Sequence, residues 1–229
     1  MQGRIPFRIR HPDSMSDSLP APAVGRLHVI TDFRLQQTFD HKDLAERAIA
    51  GGADTIQFRQ KHGVVRNQLI AARRVQNVCA DAGVPLIVDD RLDVALGVEA
   101  RGLHLGQEDF PVDVARRVLG PEPILGASAS TIEQARQAEA MGATYIGFGP
   151  IYPTQSKADA GATQGLERLH ACCEAVNCPV IAIGGITYRR VAEVLDAGAY
   201  GVAVLSAVAT APNPRRATRR LCLAIDEAR

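Results

Sequence analysis

From Arg26 onward, short runs of β-branched and aliphatic residues alternate with stretches in which apolar residues return every three or four positions. The short runs lie at 27–31, 55–59, 85–88, 102–105, 124–127, 145–148, 180–183 and 201–204. Their length and residue types predict strands, and the amphipathic stretches at 42–50, 67–82, 132–141 and 189–196 predict helices. Eight strands, each followed by a helix or helical turn, imply parallel βα units. A weak internal repeat agrees: Ala50-Gly51-Gly52-Ala53-Asp54, Met141-Gly142-Ala143-Thr144 and Ala197-Gly198-Ala199-Tyr200 each close a helix and open a strand. Glycine recurs there because a helix C-terminus often ends in the left-handed conformation. Eight such units in roughly 200 residues predict an α/β fold, a single (β/α)8 TIM barrel. A doubly wound open sheet is the alternative, but no Gly-x-Gly-x-x-Gly follows the first strand.

Composition narrows the function. The chain has 229 residues, 46% of them hydrophobic and 22% charged, with a formal net charge of +1. That balance gives no nucleic-acid or membrane footprint, so an anionic ligand must be held by locally placed cations. No apolar run approaches the roughly 20 residues of a membrane span. The five cysteines are an odd count, and with no secretion signal a reduced, cytoplasmic setting is expected. His170, Cys172, Cys173 and Cys178 could be read as metal ligands, but adjacent cysteines on one helix point to different sides, which favours packing. Residues 1–24 read as a flexible N-terminal arm and 25–229 as the barrel, with Met15 an alternative start to Met1. The outer helix faces carry no decisive patch, so a homo-oligomer stays open.

Chemistry in such barrels sits on the loops that follow the strands. After strand two the chain reads Gln57-Phe58-Arg59-Gln60-Lys61. Period-two alternation turns Ile56 and Phe58 toward the helices and Gln57 and Arg59 into the barrel mouth. An arginine fork with Lys61 beside it suits a phosphate or diphosphate. A salt bridge across the barrel would account for Arg59, though less easily for Lys61. The third and fourth exits read Asp89-Asp90-Arg91 and His104-Leu105-Gly106-Gln107-Glu108-Asp109. Neighbouring parallel strands lie about 4.8 Å apart, so these exits are adjacent. Two carboxylates there can hold Mg²⁺ together with substrate phosphate oxygens. Helix capping competes as a reading of Asp90 and Asp109, and is the reading adopted for Asp113. His104 is expected to point inward as a hydrogen-bonded core residue.

The remaining exits carry smaller groups. Ser128 and Ser130 follow strand five, where Ser130 or Thr131 could cap the next helix. Thr154, Ser156 and Lys157 lie in a long polar segment after strand six, a second diphosphate grip and a possible lid. Gly184-Gly185-Ile186 and Leu205-Ser206 follow strands seven and eight, where barrels often bind phosphate through backbone N–H groups. Two anion grips, a metal site between them and a neutral phosphate cradle suit two phosphorylated substrates, one of them a diphosphate.

Taken in order, Gln57-Phe58-Arg59-x-Lys61, Asp90-Arg91, the run from His104 to Asp109, Gly149-Pro150-Ile151-Tyr152-Pro153-Thr154-x-Ser156-Lys157 and Gly184-Gly185-Ile186 resemble the thiamine-phosphate synthase family, over roughly the whole barrel. The resemblance implies condensation of a pyrimidine diphosphate with a thiazole phosphate, two small-molecule partners, with Mg²⁺ as cofactor. It implies that Gln57, Arg59, Lys61 and Asp89 bind the pyrimidine diphosphate, that Asp90 and Asp109 hold the metal, and that Ser128 lies near the pyrimidine. Thr154, Ser156 and Lys157 would meet diphosphate and thiazole phosphate, and Gly185, Leu205 and Ser206 the thiazole phosphate. Arg59, Lys61 and Lys157 would be catalytic, neutralising the leaving group. Two departures stand out: Asp89 occupies a position usually held by asparagine, and Ser156 replaces a common threonine. Related thiazole tautomerases carry a histidine in the fifth-exit loop, where this chain has Ser130. A catalytically inactive ligand-binding barrel is the other alternative.

Overall fold

The computed structural model describes residues 24–36, 38–156 and 161–228. Eight parallel strands close into a barrel in sequence order, β1 (Leu27–Asp32), β2 (Thr55–Arg59), β3 (Leu86–Asp89), β4 (Gly102–Leu105), β5 (Ile124–Ala129), β6 (Tyr145–Phe148), β7 (Val180–Ile183) and β8 (Gly201–Val204). Around them lie α1 (His41–Ala50), α2 (Val65–Ala82), α3 (Leu92–Val98), α4 (Val112–Leu119), α5 (Ile132–Ala140), α6 (Gly165–Ala175), α7 (Val191–Asp196), α8 (Ser206–Ala209) and α9 (Pro214–Glu227). No helix among the described residues is long and apolar enough to cross a membrane.

Strand alternation divides the buried residues into two layers. Ile56, Phe58, Leu103, Leu105, Ile146 and Phe148 point outward and pack under the helices. Ile30, Ile87, Ile124, Tyr145, Ile181 and Ala203 fill the barrel interior. Each large aliphatic side chain withdrawn from water in this way contributes about 1.5–3 kcal/mol. Val24, counted with the arm on sequence, joins the interior cluster, because its apolar side chain helps close the bottom of the barrel. The rest of the expected arm lies outside the described residues.

Three glycines of the internal repeat take positive φ: Gly52 at 100°, Gly142 at 96° and Gly198 at 99°. In the first repeat the left-handed residue is thus Gly52; Gly51 ends α1 in the right-handed region, at φ −90°. Gly51 serves close approach instead, since an added Cβ would lie 2.5 Å from the Arg215 carbonyl oxygen on α9.

Strand boundaries differ from expectation chiefly at the exits. β1 extends to Asp32, β3 to Asp89, and β5 continues through Ser128 to Ala129. Each extension carries a polar or small residue whose strand state depends on pairing with its neighbour: Asp32 pairs with Arg59, Asp89 with His104, and Ala129 with Phe148. The helix expected at 189–196 divides into a 3-10 turn over Tyr188–Arg190 and α7.

Candidate active site

The exits of β1 to β4 bring six charged groups together. Asp32, at the end of β1, forms an ion pair with Arg59 Nη1, and its other carboxylate oxygen accepts from the Arg34 N–H at 2.8 Å. Arg59 Nε reaches Asp89 Oδ2 at 3.3 Å, while Gln57 Nε2 donates to Asp89 Oδ1 at 3.3 Å. The inward direction of Gln57 and Arg59 therefore holds, and the internal salt bridge weighed for Arg59 is present. Lys61 also pairs with an acid, Asp90.

Asp90 is aimed by its backbone. It has φ 60°, unusual for a residue with a Cβ, in a tight turn where the Arg91 N–H donates to the Asp89 carbonyl at 2.7 Å. Its own N–H donates to the His104 carbonyl at 2.8 Å. The Asp90 side chain hydrogen-bonds Asp109, and Asp109 Oδ2 accepts from the Gly106 N–H at 2.7 Å. Two exit loops thus hold two carboxylates face to face.

Electrostatics here are strained toward the acid side. Burial and the neighbouring Asp90 charge push Asp89 up to about 7, against the pull of Lys61 and Arg59. Burial and the bond to Asp109 raise Asp90 as well. Burial opposes charge on Lys61, but its bond to Asp90 and the charges of Asp89, Asp90 and Asp109 outweigh that and raise its pKa. Asp32, Asp89, Asp90 and Asp109 share this rim with Arg59 and Lys61, and Arg91 also acts on Asp90. Asp90 and Asp109, two oxygen donors on adjacent loops, suit a hard divalent cation that takes its other ligands from phosphate oxygens and water.

The exits of β5 to β8 are built differently. A cavity of about 640 Å³ opens there, bordered by Lys61 and Asp109 on one side and by Gly149, Gly184, Gly185 and Ser206 on the other. Gly184 and Gly185 have φ 99° and 65°. A Cβ on Gly184 would lie 2.5 Å from Pro150 Cβ, and one on Gly185 2.7 Å from the Pro153 carbonyl. Only glycine lets the β7 exit run against the β6 exit, where the Ile151 and Tyr152 N–H groups donate to Ile183 and Gly184 carbonyls at 2.9 and 3.1 Å. Behind the loop, Arg190 stacks 4.1 Å from the Tyr152 ring centre and donates to the Gly185 carbonyl at 2.6 Å. Ser156 Oγ donates to Ser206 Oγ at 3.0 Å, tying the sixth exit to the eighth. A second groove of about 700 Å³, between α1 and α9, is lined by Arg215, Arg216 and Arg219 and contains none of the candidate residues.

A model of the thiamine monophosphate synthase family matches residues 27–208. The chain belongs to this family of transferase enzymes. A thiamine-phosphate synthase of Salinibacter ruber is 59% identical over 204 residues, covering 89% of this chain and 90% of that one. The thiamine-phosphate synthase of Moorella thermoacetica is 48% identical over 203 residues, covering 89% and 97%. Among solved structures, a thiamine phosphate pyrophosphorylase from Pyrococcus furiosus is similar at a TM-score of 0.82 and 40% identity, covering 89% of this chain and 96% of that one. A 3-hexulose-6-phosphate synthase at 18% identity and TM-score 0.63 shares the fold alone.

Within this member of the thiamine monophosphate synthase family, Lys61, Asp109, Ser128, Thr154, Ser156, Gly185, Leu205 and Ser206 all border one cavity. Gln57, Arg59, Asp89 and Asp90 are not on its wall; they form the charged network beside it. Lys157, with the centre of the expected lid, lies outside the described residues. Thr131, not Ser130, caps α5, in a capping box with Gln134. Asp113 makes no cap hydrogen bond: it sits in the first turn of α4, after Pro111 as the N-cap, and pairs with Arg117 at 3.3 Å. His104 is buried and bonded on both ring nitrogens, as expected of a core histidine. Sequence reasoning missed Asp32, whose signal was its place one step beyond an apolar run, and Tyr145, which reads as plain core.

Proposed function

We propose that the chain is a thiamine-phosphate synthase: it joins 4-amino-2-methyl-5-hydroxymethylpyrimidine diphosphate to hydroxyethylthiazole phosphate, giving thiamine phosphate and diphosphate, in the cytoplasm. The observation that carries this reading is the division of one cavity mouth. Lys61, Asp90 and Asp109 gather at one side, and a neutral, glycine-rich loop pair stands at the other.

In this reading the bond between the pyrimidine methylene and the diphosphate oxygen breaks, and diphosphate leaves with the electron pair. The thiazole nitrogen lone pair then forms the new C–N bond to the methylene carbon. No strong base or nucleophile is required of the protein. Leaving-group charge and alignment control the rate. Asp90 and Asp109, facing each other across two exit loops, are the residues that would hold Mg²⁺. When bound, Mg²⁺ supplies charge neutralisation at the leaving group. Lys61, released from Asp90 as phosphate oxygens arrive, would donate to the diphosphate, with Arg59 and Lys157 as further cations and Gln57 and Asp89 orienting the pyrimidine. Thr154, Ser156, Gly185, Leu205 and Ser206 would meet the thiazole phosphate. Ser128 would face the pyrimidine.

The tautomerase reading is disfavoured by Ser130, whose hydroxyl and N–H are both spent on Gln134 Oε1 at 3.1 and 2.8 Å. Incubating the full chain with both substrates and Mg²⁺ should yield thiamine phosphate and diphosphate in equal amounts. Conversion of the thiazole alone, or no diphosphate release, would overturn the assignment.

A further inference from the structure

One group of buried polar side chains connects the barrel interior to the cavity. The Tyr145 hydroxyl lies 2.8 Å from His104 Nδ1, and His104 Nε2 lies 2.9 Å from Ser128 Oγ, which borders the cavity. Tyr145 and His104 are buried, and Ser128 is half-buried.

The ring positions are built into the strands. Tyr145 lies over Gly126, where a Cβ would come within 2.2 Å of Tyr145 Cζ. His104 lies over Gly147, where a Cβ would stand 3.0 Å from His104 Cε1. Glycines at these two points of adjacent strands thus leave room for both rings.

The need of a buried O–H for an acceptor sets the direction of these bonds. A buried O–H left without an acceptor is costly, and His104 Nδ1 is the hydrogen-bond partner of Tyr145 among the described residues. Burial also pushes the Tyr145 phenol up, so it keeps its proton at any working pH. The phenol therefore donates, and Nδ1 accepts. A neutral imidazole with an accepting Nδ1 carries its hydrogen on Nε2, which donates to Ser128 Oγ. The Ser128 hydrogen is left to point elsewhere, and the cavity is on its open side. The same logic governs His28, whose Nε2 faces the Gly25 carbonyl at 3.0 Å and must carry a hydrogen there.

We infer that Tyr145 and His104 are positioning residues that hold the Ser128 hydroxyl as a hydrogen-bond donor toward the cavity, so that the ligand atom it meets is a lone-pair acceptor. Resting on the function proposed above, that atom is an unprotonated nitrogen of the pyrimidine and not an N–H group. The relay selects a heteroaromatic base at this point over a ligand that presents only donors.

Two experiments test it, and the first needs no substrate. Nitrogen-15 NMR of histidine-labelled protein, with the His104 resonances identified by their loss in His104→Gln, reads the tautomer directly. The expected result is an unprotonated Nδ1 and a protonated Nε2; a protonated Nδ1 in the wild type overturns the relay. The second is a double-mutant cycle. Tyr145→Phe should lower kcat/KM for the pyrimidine diphosphate about 10-fold, the size of one hydrogen bond, and leave KM for the thiazole phosphate unchanged. In a Ser128→Ala background the same change should have no further effect, whereas a merely structural tyrosine would cost equally in both. Equal losses in the two backgrounds refute the relay. A wild-type protein without turnover refutes the substrate assignment instead, and the tautomer still decides the relay.

Discussion

The two halves of the barrel mouth are built in opposite ways. At β1 to β4, formal charges are crowded and already paired with one another, Arg59 with Asp32 and Asp89, Lys61 with Asp90. At β5 to β8, the wall is mostly glycine, small hydroxyls and backbone, with Arg168 at the cavity border and Arg190 kept behind the loop, where it holds the Gly185 carbonyl. The difference follows from what each half is asked to do in the proposed reaction. A departing diphosphate changes its charge distribution as it leaves, and strong, exchangeable charges follow that change. A phosphate that is merely held needs fixed geometry, which rigid backbone supplies.

The charged half gives the largest expected effects. Lys61→Ala and Asp109→Ala should each cut turnover at least about 100-fold, as loss of an electrostatic stabiliser does. Steady-state rates with both substrates saturating check this, and near-normal rates in both variants would remove the charged half from the mechanism.

The neutral half breaks by shape. Gly184→Ala places a Cβ 2.5 Å from Pro150 at φ 99°. It should destabilise the fold by about 2 kcal/mol and lower the melting temperature by about 4–8 °C. It should also weaken thiazole phosphate binding while diphosphate binding persists, which calorimetric titration of each ligand would separate.

Acid tests the wall behind the charged half. His41 bonds Thr31 Oγ1 at 2.7 Å, and burial lowers its pKa to about 4. The unfolded chain takes up this proton near 6.5 and the folded chain only near 4, so stability is lost as pH falls through that window. At pH 5.5 the loss from this one group is about 1 kcal/mol relative to pH 8. Denaturant unfolding at the two pH values measures it, and His41→Gln should flatten the dependence by that amount. The smallest expected effect is Ser206→Ala. Losing the Ser156 bond should raise KM for thiazole phosphate about 3-fold and leave KM for the pyrimidine diphosphate unmoved.

Alternation and turn chemistry make the barrel legible in the sequence. Strand runs of four or five apolar residues and glycines at helix ends are local signals, and Gly52, Gly142 and Gly198 adopt the conformation their position called for. Alternation also aimed Gln57 and Arg59 inward. Partners were another matter. That Arg59 meets Asp32 depends on the β1–β2 register, which sets those two residues side by side and which no local pattern encodes. That Tyr145 reaches His104 depends on bare glycine faces at 126 and 147, visible only once β5 and β6 lie beside their neighbours. β5 ends later than expected, at Ala129, because Ser128 and Ala129 carry little intrinsic strand preference and are held by pairing with β6.

In the proposed reaction the acid-rich half of the mouth accepts diphosphate as a complex with a divalent cation. Titrating diphosphate into the full chain, with Mg²⁺ and then with excess chelator, measures it directly. Binding should be at least about 10-fold tighter with Mg²⁺, and that advantage should vanish in Asp109→Ala. Equal affinity with and without the metal would show that this rim binds diphosphate without a dication.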